Sequence, residues 1–129
     1  MEKATKGLSL MEVMVTMVII AVIAGLAYPR YQKMVSRSKQ TEAKTVLQSI
    51  SMGQDLYMTM HQSYAANLED LDVEIPKTAK YAYSVAIGKN GLSYIATAMA
   101  NIDSDLVTDE WQIDEEKNLV NIVNDVIEE

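Results

Sequence analysis

The chain has 129 residues, 11 basic and 18 acidic side chains, a formal charge of −7, one His, no Cys and no Phe. This length predicts one domain. The absence of Cys excludes a disulfide framework and a thiol-ligated metal site. A single His excludes a His-cluster metal site, and the acidic total argues against a general nucleic-acid binder, which needs a basic face. The hydrophobic share, 49%, is ordinary, so its distribution along the chain carries more information than its amount.

That distribution is uneven. Val13 to Tyr28 reads VMVTMVIIAVIAGLAY, without a charge. Counted from Leu8, the stretch reaches about 21 residues, enough to cross a bilayer as a helix. Glu12 lies inside it. A carboxylate costs on the order of 2–4 kcal/mol toward the middle of a bilayer and less near the edge. Either Glu12 meets a partner, or it sits one turn inside the headgroup boundary and stays hydrated. The same residues fit a secretory signal peptide, with Lys3 and Lys6 ahead of the apolar core and Gly25 and Ala27 before a cut. Against that stand the length of the run, the acid at its start and the helical pattern that resumes directly after Pro29.

From Pro29 onward, Ala43, Val46, Leu47, Ile50, Gly53, Tyr57 and Met60 recur at spacings of three and four, the stripe of an amphipathic helix. Gln48, Ser49, Ser51, Gln54 and Asp55 are assigned to the opposite face. The two halves read as one helix of about 53 residues. Pro29 cannot donate to the Gly25 carbonyl and its ring crowds that turn, so Gly25 and Pro29 mark a weak point.

The run KGLSLMEVMVTMVIIAVIAGLAYPRY closely resembles the start of bacterial type IV prepilins and of the pseudopilins of type II secretion. Their pattern is a short basic leader ending in Gly, a hydrophobic first mature residue, Glu at the fifth mature place, an apolar run and then Pro. Gly7, Leu8, Glu12 and Pro29 fill those places here, with Tyr31 at a common aromatic position; Leu8 stands where Phe is more usual. The resemblance implies cleavage between Gly7 and Leu8 by a prepilin peptidase and N-methylation of Leu8. It also implies pairing of Glu12 with a neighbouring subunit's N-terminus, which sets register, and polymerisation of the helix into a filament. An inner-membrane assembly platform is the implied further partner, and no cofactor is expected. The implied location is the inner membrane before assembly and the cell surface, as a pilus or fimbrium, afterwards. Motility, adhesion and DNA uptake are the roles such fibres serve.

The expected organisation is a leader at 1–7, a membrane and polymerisation half at 8–28, an amphipathic half at 29–61 and a globular head at 62–129. The head reads as α+β. Asn67 caps a short helical turn through Leu71, and Pro76 closes that region. Tyr81 to Ile87 alternates as a strand, GKNG at 88–91 is a turn, and LSYIATAMA forms a second strand, giving a hairpin. Val107 to Ile113 and Leu119 to Val123 suggest another. An antiparallel sheet packing one face on the long helix satisfies both elements, a pilin-like architecture.

Charge is segregated. Between Arg30 and Lys44 five basic residues face one acid, Glu42, whereas Glu69 to Glu129 holds 14 acids against four lysines. Solvated faces account for this, and so does a basic mid-helix of one subunit meeting the acidic head of another. Direct nucleic-acid contact by the head is not expected. Asp103, Asp105, Asp109 and Glu110 fall in one predicted loop and are weighed as calcium ligands against a solvated loop; a calcium loop would favour the secretion alternative. His61 is expected to be exposed, and the methionines and tyrosines to serve packing. With no catalytic motif found, three readings stand: a type IV pilus subunit, a type II secretion pseudopilin, and a monomeric membrane-anchored envelope binding domain.

Overall fold

A computed structural model of the chain describes residues 7–102 and 106–126. The leader residues Glu2, Lys3 and Lys6 and the acids Asp103 and Asp105 lie outside them. Two compact units are present, Met1–Met34 and Val35–Glu129. Helix α1, Leu10–His61, contributes to both. It is assigned as α-helix through Pro29, where the expected interruption reduces to the one hydrogen bond that proline cannot donate.

In the first unit α1 is exposed on every side from Leu10 through Gln32. Its most apolar 18-residue window has a mean hydropathy of 2.5, and none of it is buried. A helix apolar all round is stable only when lipid or other helices cover it.

The second unit packs α1 from Gln40 onward against a four-stranded antiparallel sheet of β1 (Ala82–Ile87), β2 (Tyr94–Ala100), β3 (Asp109–Asp114) and β4 (Leu119–Val123), in that spatial order. Every neighbour in the sheet is also the neighbour in sequence, so the sheet is a simple meander. Small residues Ala96 and Ala98 on the inner face of β2, both fully buried, let the sheet approach Ala43, Leu47 and Ile50 of the helix. Tyr81, Tyr94, Ile102 and Ile113 complete this core. The register Ala86↔Ile95, Ile95↔Asp114 and Gln112↔Val120 turns the alternate residues outward.

Four local expectations change. Ser51 and Gln54 belong to the packed face, not its opposite, being 3% and 0% exposed. Gln54 is buried because its amide is satisfied twice by Ala65: Nε2 donates to the Ala65 carbonyl at 2.9 Å and Oε1 accepts from the Ala65 N–H at 2.8 Å. Ser51 Oγ accepts from the Tyr94 hydroxyl at 2.9 Å. Asn67 stands at the N-cap of a 3-10 turn, Leu68–Asp70, but makes no side-chain cap; its amide donates to Asp70 instead. The second strand starts at Tyr94, not Leu92, because Gly88 N–H donates to the Ser93 carbonyl and closes a longer hairpin loop, with Gly91 at φ +67°. Asp109 opens a strand and is not a loop residue.

Candidate assembly site

The expected cleavage and assembly residues gather at the N-terminal end of α1. Gly7, Leu8 and Ser9 precede the helix, and Leu10 is its first residue. The Ser9 N–H donates to Glu12 Oε2 at 2.9 Å, and the Ser9 carbonyl accepts from Val13 N–H at 3.2 Å. Ser9-Leu10-Met11-Glu12 is therefore a capping-box sequence, with Ser9 at the N-cap and Glu12 at the third helical position reaching back to it. The carboxylate also lies beside the positive end of the helix dipole. This second role of Glu12 was legible as S-x-x-E before an apolar run. The Thr16 hydroxyl donates to the Glu12 carbonyl one turn on. Around this polar start the apolar side chains stand bare: Leu10 is 80% exposed and Met11 74%.

Further along, nothing lies within 4 Å of where a Gly25 Cβ would be. Its carbonyl is the one that Pro29 leaves without a helical donor. A mid-helix glycine without packing costs about 1 kcal/mol relative to alanine.

The basic segment, which begins in the first unit and continues into the second, is partly engaged. Lys39 Nζ donates to the Ile102 carbonyl at 2.7 Å, and Lys44 Nζ lies 4.2 Å from the Trp111 ring centroid, a cation–π contact. Arg30 and Arg37 are exposed. Lys117 Nζ meets Asp55 Oδ2 at 2.7 Å, which raises the Lys117 pKa through that hydrogen bond and charge.

The acid weighed as a calcium ligand has another use. Asp109 is fully buried. Its Oδ1 accepts from Gln40 Nε2 at 2.9 Å, Asn121 Nδ2 at 3.3 Å and Asp125 N–H at 3.1 Å. Its Oδ2 accepts from the Tyr81 hydroxyl at 2.6 Å and Trp111 Nε1 at 2.7 Å. Five donors occupy the carboxylate's acceptor sites, which is how a buried acid is tolerated. Asp125 in turn accepts the Ile102 N–H at 3.0 Å. The network ties α1, the residue just before β1, β3, β4 and the segment after β4 without a disulfide. Among the described residues no cluster of three His, Asp or Glu side chains is arranged to hold a metal ion. His61 ends α1, exposed, with its ring 4.2 Å from that of Tyr57.

Comparison with known proteins agrees with both units. Residues 40–109 match the family described as Type IV pilin-like G and H, and residues 3–28 match the prokaryotic N-terminal methylation motif. The chain is similar to the type IV major pilin protein PilA of Myxococcus xanthus, 30% identical over 81 residues, covering 63% of this chain and 37% of that one. It is also similar to a fimbrial protein of Neisseria meningitidis, 26% identical over 108 residues, covering 82% of this chain and 63% of that one. The chain thus spans less than two thirds of the length of these relatives. A type IV pilin structure from Shewanella oneidensis has the same fold, with a TM-score of 0.54 at 14% identity, covering 73% of this chain and 99% of that one. With a methylation motif on its apolar helix and a pilin-type helix and sheet behind it, the chain belongs to the type IV pilins, in the type IV pilin-like G and H family.

Proposed function

We propose that the chain is a structural subunit of a type IV pilus, built to polymerise through α1 and not to catalyse a reaction. The observation that carries this reading is the apolar start of α1, exposed on every side, with a single carboxylate, Glu12, in its first turn. Such a segment needs two successive environments, a membrane before assembly and other copies of itself afterwards. Cleavage between Gly7 and Leu8 by a prepilin peptidase exposes an amine three residues before Met11 and four before Glu12. In a filament core that amine and the Glu12 carboxylate of a neighbour neutralise each other. Pairing of this kind fixes register more surely than it adds stability, because both charges are desolvated. Gly25 and Pro29 supply a turn of low helical stability that can adjust during packing. Extraction from the inner membrane by an assembly platform then delivers the subunit to a surface fibre.

The test is the N-terminus of the chain recovered from sheared surface fibres. Mass spectrometry should find a mature chain that starts at an N-methylated Leu8. A chain starting at Tyr28 would mean a removed signal peptide and would end this reading. Fibres absent from the surface, with the processed chain retained in the envelope, would favour a secretion pseudopilus.

A further inference from the structure

We propose that a groove on the head is the seat for the Arg30–Met34 turn of a second copy; the proposal rests on the filament reading above and names a contact within it. The floor of the groove is α1, where Met52, Leu56 and Met60 are 70%, 57% and 63% exposed. Its wall is the segment that follows the 3-10 turn, with Leu71 and Val73 turned toward the helix. Gly53 makes the close approach possible: a Cβ there would lie 3.0 Å from Val73 Cγ2 and 3.5 Å from Leu71 Cβ. Along this wall buried and exposed residues alternate, so Asp70, Asp72 and Glu74 form an acidic rim above the apolar trough. No basic side chain lines it.

The groove therefore asks for an apolar knob flanked by cations. Arg30 and Met34 are four residues apart on α1, a spacing that places side chains together on one side of a helix. Both are exposed, Met34 by 72%. Lys39 and Lys44 are already committed to Ile102 and Trp111, whereas Arg30 is exposed and complements the rim. A flexible methionine suits a trough built from methionine and leucine. A guanidinium can bridge two neighbouring carboxylates, giving specificity that a lone ammonium lacks. Opposite charge on the two surfaces selects register during assembly.

The absence of cysteine makes cross-linking clean. The full chain carrying Met34→Cys and Leu56→Cys, assembled into fibres and mildly oxidised, should run as a ladder of dimers and higher oligomers on a non-reducing gel. Either single variant should stay monomeric. Fibres that form but give no ladder overturn the proposal. An unmodified chain that never enters fibres defeats the filament reading instead, a different and recognisable result. Charge exchange gives a second measurement: Arg30→Glu, or Asp72→Lys with Glu74→Lys, should lower fibre recovery on the order of tenfold at unchanged chain level in the membrane fraction. The three substitutions together should restore it. Full recovery with Arg30→Glu alone, or none in the combined variant, overturns the proposal.

Discussion

Two carboxylates in this chain sit in opposite surroundings and carry opposite consequences when removed. Glu12 is exposed and holds the Ser9 N–H as part of a capping box; in the proposed filament it also supplies a charge. Gln can serve at the same capping position, so the two roles separate. Glu12→Gln should keep the start of the helix and abolish fibres, whereas Glu12→Ala should abolish fibres and also fray the first turn at a cost of roughly 0.5–1 kcal/mol. Fibre recovery and amide exchange near Ser9 read the two effects independently. Fibres formed normally by Glu12→Gln would leave capping as the residue's whole contribution. Asp109 is the reverse case, closed from water and surrounded by donors. Asp109→Ala would strand the buried Tyr81 hydroxyl, take one of two acceptors from the Gln40 amide, which keeps Asn124, and leave the half-buried Trp111 indole N–H without its acceptor, at about 1–3 kcal/mol for each group left unsatisfied. A loss near 3–5 kcal/mol, read as a fall of more than about 10 °C in the thermal midpoint of the detergent-solubilised chain, is expected. Tyr81→Phe removes one donor of five and should cost only about 1 kcal/mol. The sequence contained half of this: Asp109, Trp111 and Ile113 alternate, which points Asp109 inward with them. What hid the rest is distance, since Gln40 and Tyr81 stand 69 and 28 residues away and no local pattern announces them.

Helix α1 was legible in extent because its two signals, an unbroken apolar run and a stripe at spacings of three and four, are both local. Its polar residues were misread for the same reason. Ser51 and Gln54 look like solvent-facing positions until Tyr94 and Ala65 arrive from elsewhere in the chain to satisfy them. The two glycines of the helix show how context decides a residue's meaning. Gly25 has open space around it, and Gly53 has Val73 and Leu71 pressed against it. Gly25→Ala should therefore raise helix stability by about 1 kcal/mol, measurable as greater helicity in detergent. If the weak turn before Pro29 serves packing in the fibre, the same substitution lowers fibre recovery. Gly53→Leu should do the opposite to stability: the added side chain has to displace Leu71 and Val73, with a cost of about 1–3 kcal/mol. Its signature is a lowered thermal midpoint together with faster proteolysis at 70–74, where the displaced wall of the groove would be cut.

At the scale of the whole molecule, a formal charge of −7 conceals a basic stretch that begins in one unit and an acidic surface on the other. Beneath that acidic surface the head holds Tyr81, Tyr83 and Tyr94 neutral. Burial is the first cause for all three. Tyr81 is raised far above the ordinary phenol value by burial and then by its bond to Asp109. Tyr83 is pushed up to about 12 by burial and by the nearby charge of Glu42. Tyr94 is raised by burial, although its bond to Ser51 opposes the shift. In the unfolded chain these phenols ionise near pH 10. Above that pH the unfolded state binds fewer protons than the folded one, so folding stability falls as pH rises. Their contribution is complete below about pH 10 and is lost as pH climbs toward the raised value of about 12 for Tyr83. The detergent-solubilised chain should keep a nearly constant thermal midpoint between neutral pH and about 9, then lose several degrees per pH unit. Tyrosinate absorbance should show the buried phenols ionising only as the fold is lost. Tyr83→Phe should lessen the alkaline fall, since a ring without a hydroxyl has no proton to release, while Tyr81 and Tyr94 keep their share of it; a midpoint that drops equally in that variant would place the alkaline sensitivity elsewhere, with Tyr81 and its contact to Asp109 as the next residue to substitute.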